Sequence, residues 1–162
     1  MKRDLVKFNL KSSFLSCEKD AETILRKLIV ESRPYSDDLK RLLVINTKDC
    51  LDKNNQLYQN KINEMSLSKL MENGYLQLVP KILMPEHEET KSYVILTFDS
   101  FVPSGNPQFR DCIVSFDILC HTDYWDIGDY KLRPFKIAGY IDAILNNAKL
   151  SGIGTLQFMG CK

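Results

Sequence analysis

Cys120, His121 and Asp123, with Asp126 and Asp129 just downstream, bring together side-chain types that can hold a divalent ion. Their order works against such a site. Neighbouring residues on a strand point to opposite faces, so Cys120 and His121 cannot turn together toward one ion. Cys120 ends an apolar row and reads as a buried thiol. The other histidine, His87, sits in a separate acidic turn, and the three aspartates lack the alternating ligands and terminal glutamate of a calcium loop. Asp99, Asp111 and Asp117 on adjacent strands are the carboxylates a metal-dependent nuclease would use. No Glu-x-Lys follows them, and Lys131 belongs to a loop. Ser151-Gly152-Ile153-Gly154 is neither a nucleophile elbow nor a phosphate cradle, because the phosphate-binding lysine and hydroxyl are missing and the helix precedes it. No catalytic residue, metal or cofactor is expected. The residues favour an assembly part over an enzyme.

The bulk numbers agree. The chain has 162 residues, enough for one domain with a real core, and Lys plus Arg at 22 nearly balance Asp plus Glu at 21. A net charge of +1 provides no broad field for nucleic acid or an anionic membrane. No apolar run approaches the roughly 20 residues that span a bilayer. The five cysteines (Cys17, Cys50, Cys112, Cys120 and Cys161) form no CxxC pair, no signal peptide precedes them, and they read as free thiols of cytosolic style.

The elements that would position any site centre on residues 91–147. Lys91–Val102 alternates as a strand, with Val94, Leu96 and Phe98 on one side. A turn-rich Ser104-Gly105-Asn106-Pro107 leads into a second strand, 109–120. There Cys112, Val114, Phe116 and Ile118 share a core face, while Ile113, Ser115, Asp117, Leu119 and His121 make a half-polar one. Arg133-Pro134 opens a helix over 135–147 whose Ile137, Ile141, Ile144 and Leu145 should face the core row. Upstream, Ser16 caps a first helix running to Arg33, ended by Pro34. Ser36-Asp37-Asp38 starts a second segment, and Leu42–Ile45 reads as either helix or strand. The Asn- and Gln-rich 49–61 defaults to an exposed loop, with a mobile arm as the other reading. Ser66 caps a short helix closed by Gly74, 75–83 is a strand broken or edged by Pro80, and 155–159 adds a last strand. The fold class is α+β: a two-layer domain over 1–162, mainly antiparallel sheet, with an N-terminal helix, a second amphipathic helix on one face and a polar insert at about 46–73.

The run 110–120, then Trp125, then Leu132-Arg133-Pro134 with the helix after it, resembles the tail-completion proteins of long-tailed bacteriophages, the tail terminator and head-to-tail joining family. The likeness covers 91–159 and the first helix. The polar insert 46–73 is longer than the family pattern, and the chain stops soon after its last strand. The resemblance implies a non-enzymatic virion protein of the tail or neck, assembled in host cytoplasm. It implies a homo-oligomeric, commonly hexameric ring that meets the tail tube protein and the head connector or stopper, with nucleic acid only passing through the lumen. Arg110, Asp111, Asp117 and Arg133 are then candidates for ion pairs between subunits, and Trp125 for an aromatic contact or a cover over the sheet edge. Another neck protein (stopper or adaptor) and a small metal- or ligand-binding cytosolic domain are the alternatives.

Overall fold

The structure, a computed structural model, describes residues 17–78, 91–103 and 110–161, the side chains of Pro103 and Arg110 excepted. Helix α1 (Cys17–Arg26) carries Glu18 and Asp20 in its first turn and Arg26 in its last, matching the helix dipole. It continues as a π-turn over Lys27–Glu31, so one apolar stripe runs through Ala21, Ile24, Leu25, Leu28 and Ile29. Ser16, expected as its cap, lies outside the described residues.

Helix α2 (Tyr35–Val44) is the centre of the molecule. Every residue from Asp38 to Ile45 is buried, including Lys40 and Arg41. The choice left open for 42–45 resolves as helix through Val44, with Ile45 extended as its C-cap. Helix α3 (Gln56–Glu64) replaces the loop expected there. Asn55 caps it by accepting from the amides of Leu57 and Tyr58, and Ile62 is its buried anchor. Helix α4 (Leu67–Glu72) is capped by Ser66 and ends in a left-handed Gly74 at φ 75°. There the Tyr75 amide reaches the Leu70 carbonyl at 2.9 Å and the Gly74 amide that of Met71 at 3.0 Å, a Schellman closure.

Strands β1 (Leu76–Gln77), β2 (Tyr93–Pro103) and β3 (Arg110–Leu119) form one sheet in that order. β2 and β3 pair antiparallel, but β1 runs parallel to β2, so the sheet is mixed. A bulge at Asp99 separates the pairs Phe98–Val114 and Ser100–Ile113. Helix α5 (Arg133–Leu145) has Pro134 in its first turn and packs on α2, on the π-turn and on β3. Its Ile137, Ile141, Ile144 and Leu145 are buried, and Val114, Phe116 and Ile118 pack against the same cluster half-buried. Cys112 departs from the expected core row. It lies exposed, two residues nearer than Val114 to the Pro103–Arg110 end of the hairpin, where β2 leads into β3. The tail makes a separate two-stranded ladder, β4 (Lys149–Leu150) with β5 (Gly154–Thr155), in place of the last strand expected over 155–159. The molecule is α+β with helices packed on the sheet.

Candidate contact surface

A helix leaves its last carbonyls without intrahelical donors, and at the end of α2 these would be buried. Arg133, itself fully buried, supplies the donors. Its Nη1 donates to the carbonyls of Leu42 and Ile45 (2.8 Å to the latter), and its Nη2 donates to that of Thr47 at 2.9 Å. Its Nε donates to the Tyr124 carbonyl at 2.8 Å, while its backbone amide donates to the Trp125 carbonyl at 2.7 Å. A guanidinium at a helix C-terminus also meets the negative end of the dipole. Arg133 is therefore not the intersubunit partner expected from sequence. Its donors are consumed within the chain's own fold, joining 42–47 to the loop that precedes α5.

That loop is held from within at nearly every residue. The Trp125 indole N–H donates to the Cys120 carbonyl at 2.9 Å, tying it to the end of β3. Ile127 is buried, its amide donates to the Lys131 carbonyl at 3.0 Å, and the Lys131 amide returns to that of Gly128 at 2.9 Å. Asp126 accepts from the Gly128 amide at 2.9 Å and pairs with Lys48 at 3.1 Å. The Gly128 amide first, and the Lys48 side chain second, hold the Asp126 carboxyl below its ordinary range. Gly128, Asp129 and Tyr130 follow one another at φ 81°, 49° and 59°. Two of these are not glycine, and left-handed backbone in such residues is strain that the surrounding bonds must hold.

The outer side of this scaffold is apolar. Tyr130 is fully exposed, Phe135 is 70% exposed, and Trp125 and Leu132 are each more than a third exposed. The Trp125 nitrogen is bound to the end of β3 while much of its ring is open. Sequence reasoning missed Tyr130 and Phe135 as members of this surface. The available signal was that Phe135 lies off the Ile137–Ile141–Ile144 stripe of α5.

The remaining candidates lie apart. Asp111 and Asp117 are exposed on β3, opposite Val102 and Ile95 respectively. They share a face, but six residues of strand separate them by about 20 Å, too far to converge on one ion. The side chain of Arg110 lies outside the described residues. Between the two aspartates, Ile113 is exposed, as are Val102 and Leu119 nearby, and Ser115 donates to Asp99. His121 caps the short 3-10 turn Thr122–Tyr124 through its Nδ1, which accepts from the Asp123 amide at 3.3 Å. That is a local structural duty. Among the described residues no three His, Cys, Asp or Glu side chains gather as a metal set, and His87 lies outside those residues. Cys50 is fully buried, and burial foremost pushes its thiol up, with Arg133 opposing. Sequence reasoning missed Arg41. It is buried and donates to the Asp52 carbonyl at 2.8 Å and to Gln59 Oε1, drawing the polar insert onto α2.

The described residues thus define an α+β protein that displays a rigidly braced aromatic loop beside an exposed sheet face. The chain belongs to the YomW family, whose model matches residues 36–162. The family carries a phage-derived name, from an SPβ-like prophage. Neither curated proteins nor solved structures gave a match. Among the described residues no helix is long and apolar enough to cross a membrane.

Proposed function

We propose that this chain is a structural virion protein whose copies form a ring that terminates the phage tail tube and joins it to the head connector. The observation that carries the reading is the braced loop 120–135, which holds Trp125, Tyr130, Leu132 and Phe135 toward solvent. Aromatic side chains pre-ordered in this way bury large area at small entropic cost, the property of interface anchors. A closed head-to-tail ring needs two different patches on each copy. The second is the outer face of β2 and β3, where Val102, Ile113 and Leu119 are exposed among Asp111 and Asp117. The phage-derived family name fits this reading.

The test combines the purified protein with tail tube protein, reading mass by light scattering and tube ends by negative-stain microscopy. Rings seated on tube ends are expected, and Tyr130→Ala with Phe135→Ala should empty those ends while leaving the melting transition in place. A protein that stays monomeric and leaves tube ends open defeats the reading. Binding to the connector but not the tube would replace it with a stopper or adaptor.

A further inference from the structure

A β-strand at the margin of a sheet turns every second N–H and C=O outward, where they bond only to water or to another strand. β3 is such a strand. The sheet ends with it, and among the described residues none bonds to its outer edge. The positions that face outward follow from β2. Val94 gives its amide to the Tyr75 carbonyl at 2.9 Å, on the β1 side, so its pair with Ile118 is a non-hydrogen-bonded one. By the period of two, Val114, Phe116 and Ile118 turn their amides and carbonyls to the open edge. Natural edges are blunted by shortness, proline, lysine or a bulge. β3 spans ten residues without proline or lysine, and the bulged residue belongs to β2.

Burial points the same way. Val94 and Leu96 are buried on β2, but their partners Ile118 and Phe116 on β3 are only half-buried. Core-side apolar groups are thus left part open along the edge. On the opposite side Ile113 and Leu119 are exposed, with Ser115 and Asp117 between them. This row, apolar then polar then acidic then apolar, complements itself when reversed. An antiparallel second copy with its twofold axis at Phe116 sets Ile113 opposite Leu119 and Ser115 opposite Asp117. On the core side it sets Val114 opposite Ile118 and Phe116 opposite its own copy, joining two half-covered rows. Sliding the copy by two residues one way puts Asp117 opposite Ile113, and the other way puts Asp117 opposite Asp117. Both mismatches are unfavourable across a ladder, which leaves the register centred on Phe116.

We infer that β3 pairs edge to edge with β3 of a second copy, antiparallel about Phe116, making one continuous sheet from the three strands of each chain. A twofold contact uses the same patch on both copies and closes at two, so it does not depend on the head-to-tail ring. The isolated full chain, without tube protein, should weigh twice 18.7 kDa by analytical ultracentrifugation at concentrations up to about 100 μM. Ile113→Lys sets an ammonium against Leu119 twice per dimer and should weaken it about tenfold or more. Adding Leu119→Glu makes two opposite-charge pairs and should restore it. Both sites are exposed, and an unchanged far-ultraviolet spectrum confirms that the variants fold. Oxidising a chain with Ile113→Cys and Leu119→Cys should give a covalent dimer whose disulfide, found by peptide mapping, joins 113 to 119. Within one chain the strand holds these positions about 20 Å apart, too far to bridge. Tyr130→Ala with Phe135→Ala, which tests the ring, should leave the dimer intact. Amide exchange at Val114, Phe116 and Ile118 should be slow in the dimer and fast in the monomeric Ile113→Lys variant. A chain that stays monomeric, a dimer indifferent to Ile113→Lys, or a disulfide at other positions overturns the inference. So does slow exchange of these amides in the monomeric variant, since a segment of the same chain would then cover the edge.

Discussion

At the scale of single residues, Arg133 outweighs every side chain singled out from the sequence. Replacing it with methionine leaves the carbonyls of Leu42, Ile45, Thr47 and Tyr124 without their donor in a dry interior. Losing a buried, fully bonded charge of this kind should cost about 3–5 kcal/mol, measured by urea unfolding. Arg133→Lys should recover little, because a point ammonium cannot span carbonyls that a planar fork reaches. A lysine variant as stable as the parent would show that charge alone suffices. Lys40 makes the opposite case. Burial foremost lowers its pKa, Arg33 adds to this, and Asp37, 3.9 Å away, opposes it. A base whose pKa is lower folded than unfolded binds more protons unfolded, so stability rises with pH across that interval. The melting temperature should therefore climb as pH rises through the lowered value toward 10.5, then gain nothing more from this group. Lys40→Met should flatten that slope, and an unchanged slope would exonerate the residue. Neither role was legible from sequence. A basic residue before a proline, or one on a helix with alternating charge, looks solvated until the partner helix is in place.

Among the elements, what could be read were those that carry their own signals. The Ser66 cap and Gly74 stop of α4, the alternation of β2 and β3, and the proline start and apolar stripe of α5 are all local chemistry. Helix α3 was missed because its Gln- and Asn-rich stretch has one buried residue, Ile62, and so no stripe. It is set instead by the Asn55 cap and by the reach of Arg41 to Gln59, which no pattern announces. Asn55→Ala should cost about 1 kcal/mol. Hydrogen exchange should then quicken through α3 while β2 and β3 keep their protection. Equal loosening of the hairpin would mean that α3 does not open as a separate unit.

For the whole molecule, the α+β class followed from the order of helix-like and strand-like segments. The mixed sheet did not, since the parallel neighbour of β2 is the two-residue β1, too short to declare a direction. The candidate surface was half visible. Trp125 was singled out, whereas the bracing that fixes it depends on Arg133 and on contacts with 42–48 across the fold. Function is further removed, because a fold of this class serves many ends. Asp111 and Asp117 bring the proposed ring within reach of a charge test. Reversal to lysine at each should leave unfolding unchanged, as befits exposed sites, while reducing the ring fraction seen by light scattering. Rings formed undiminished by both variants would make these ordinary surface charges.

The bulge at Asp99 bears on how the chain tolerates changes of length. Before it, Phe98 lies opposite Val114, and after it Phe101 lies opposite Cys112, so Phe98 and Phe101 share a side and their rings sit 6.1 Å apart. Even and odd positions have exchanged sides across one supernumerary residue. Removing Asp99 would leave every cross-strand partner where it is, whereas removing Thr97 would shift the phase between the bulge and the buried end of β2. Of these two single-codon deletions, the first should yield a folded protein lacking the Ser115 and Thr97 contacts to Asp99 and some local twist, and the second should set Leu96 and Phe98 at odds over one side of the sheet. Melting curves of the two shortened chains would show which positions of this hairpin can absorb an indel.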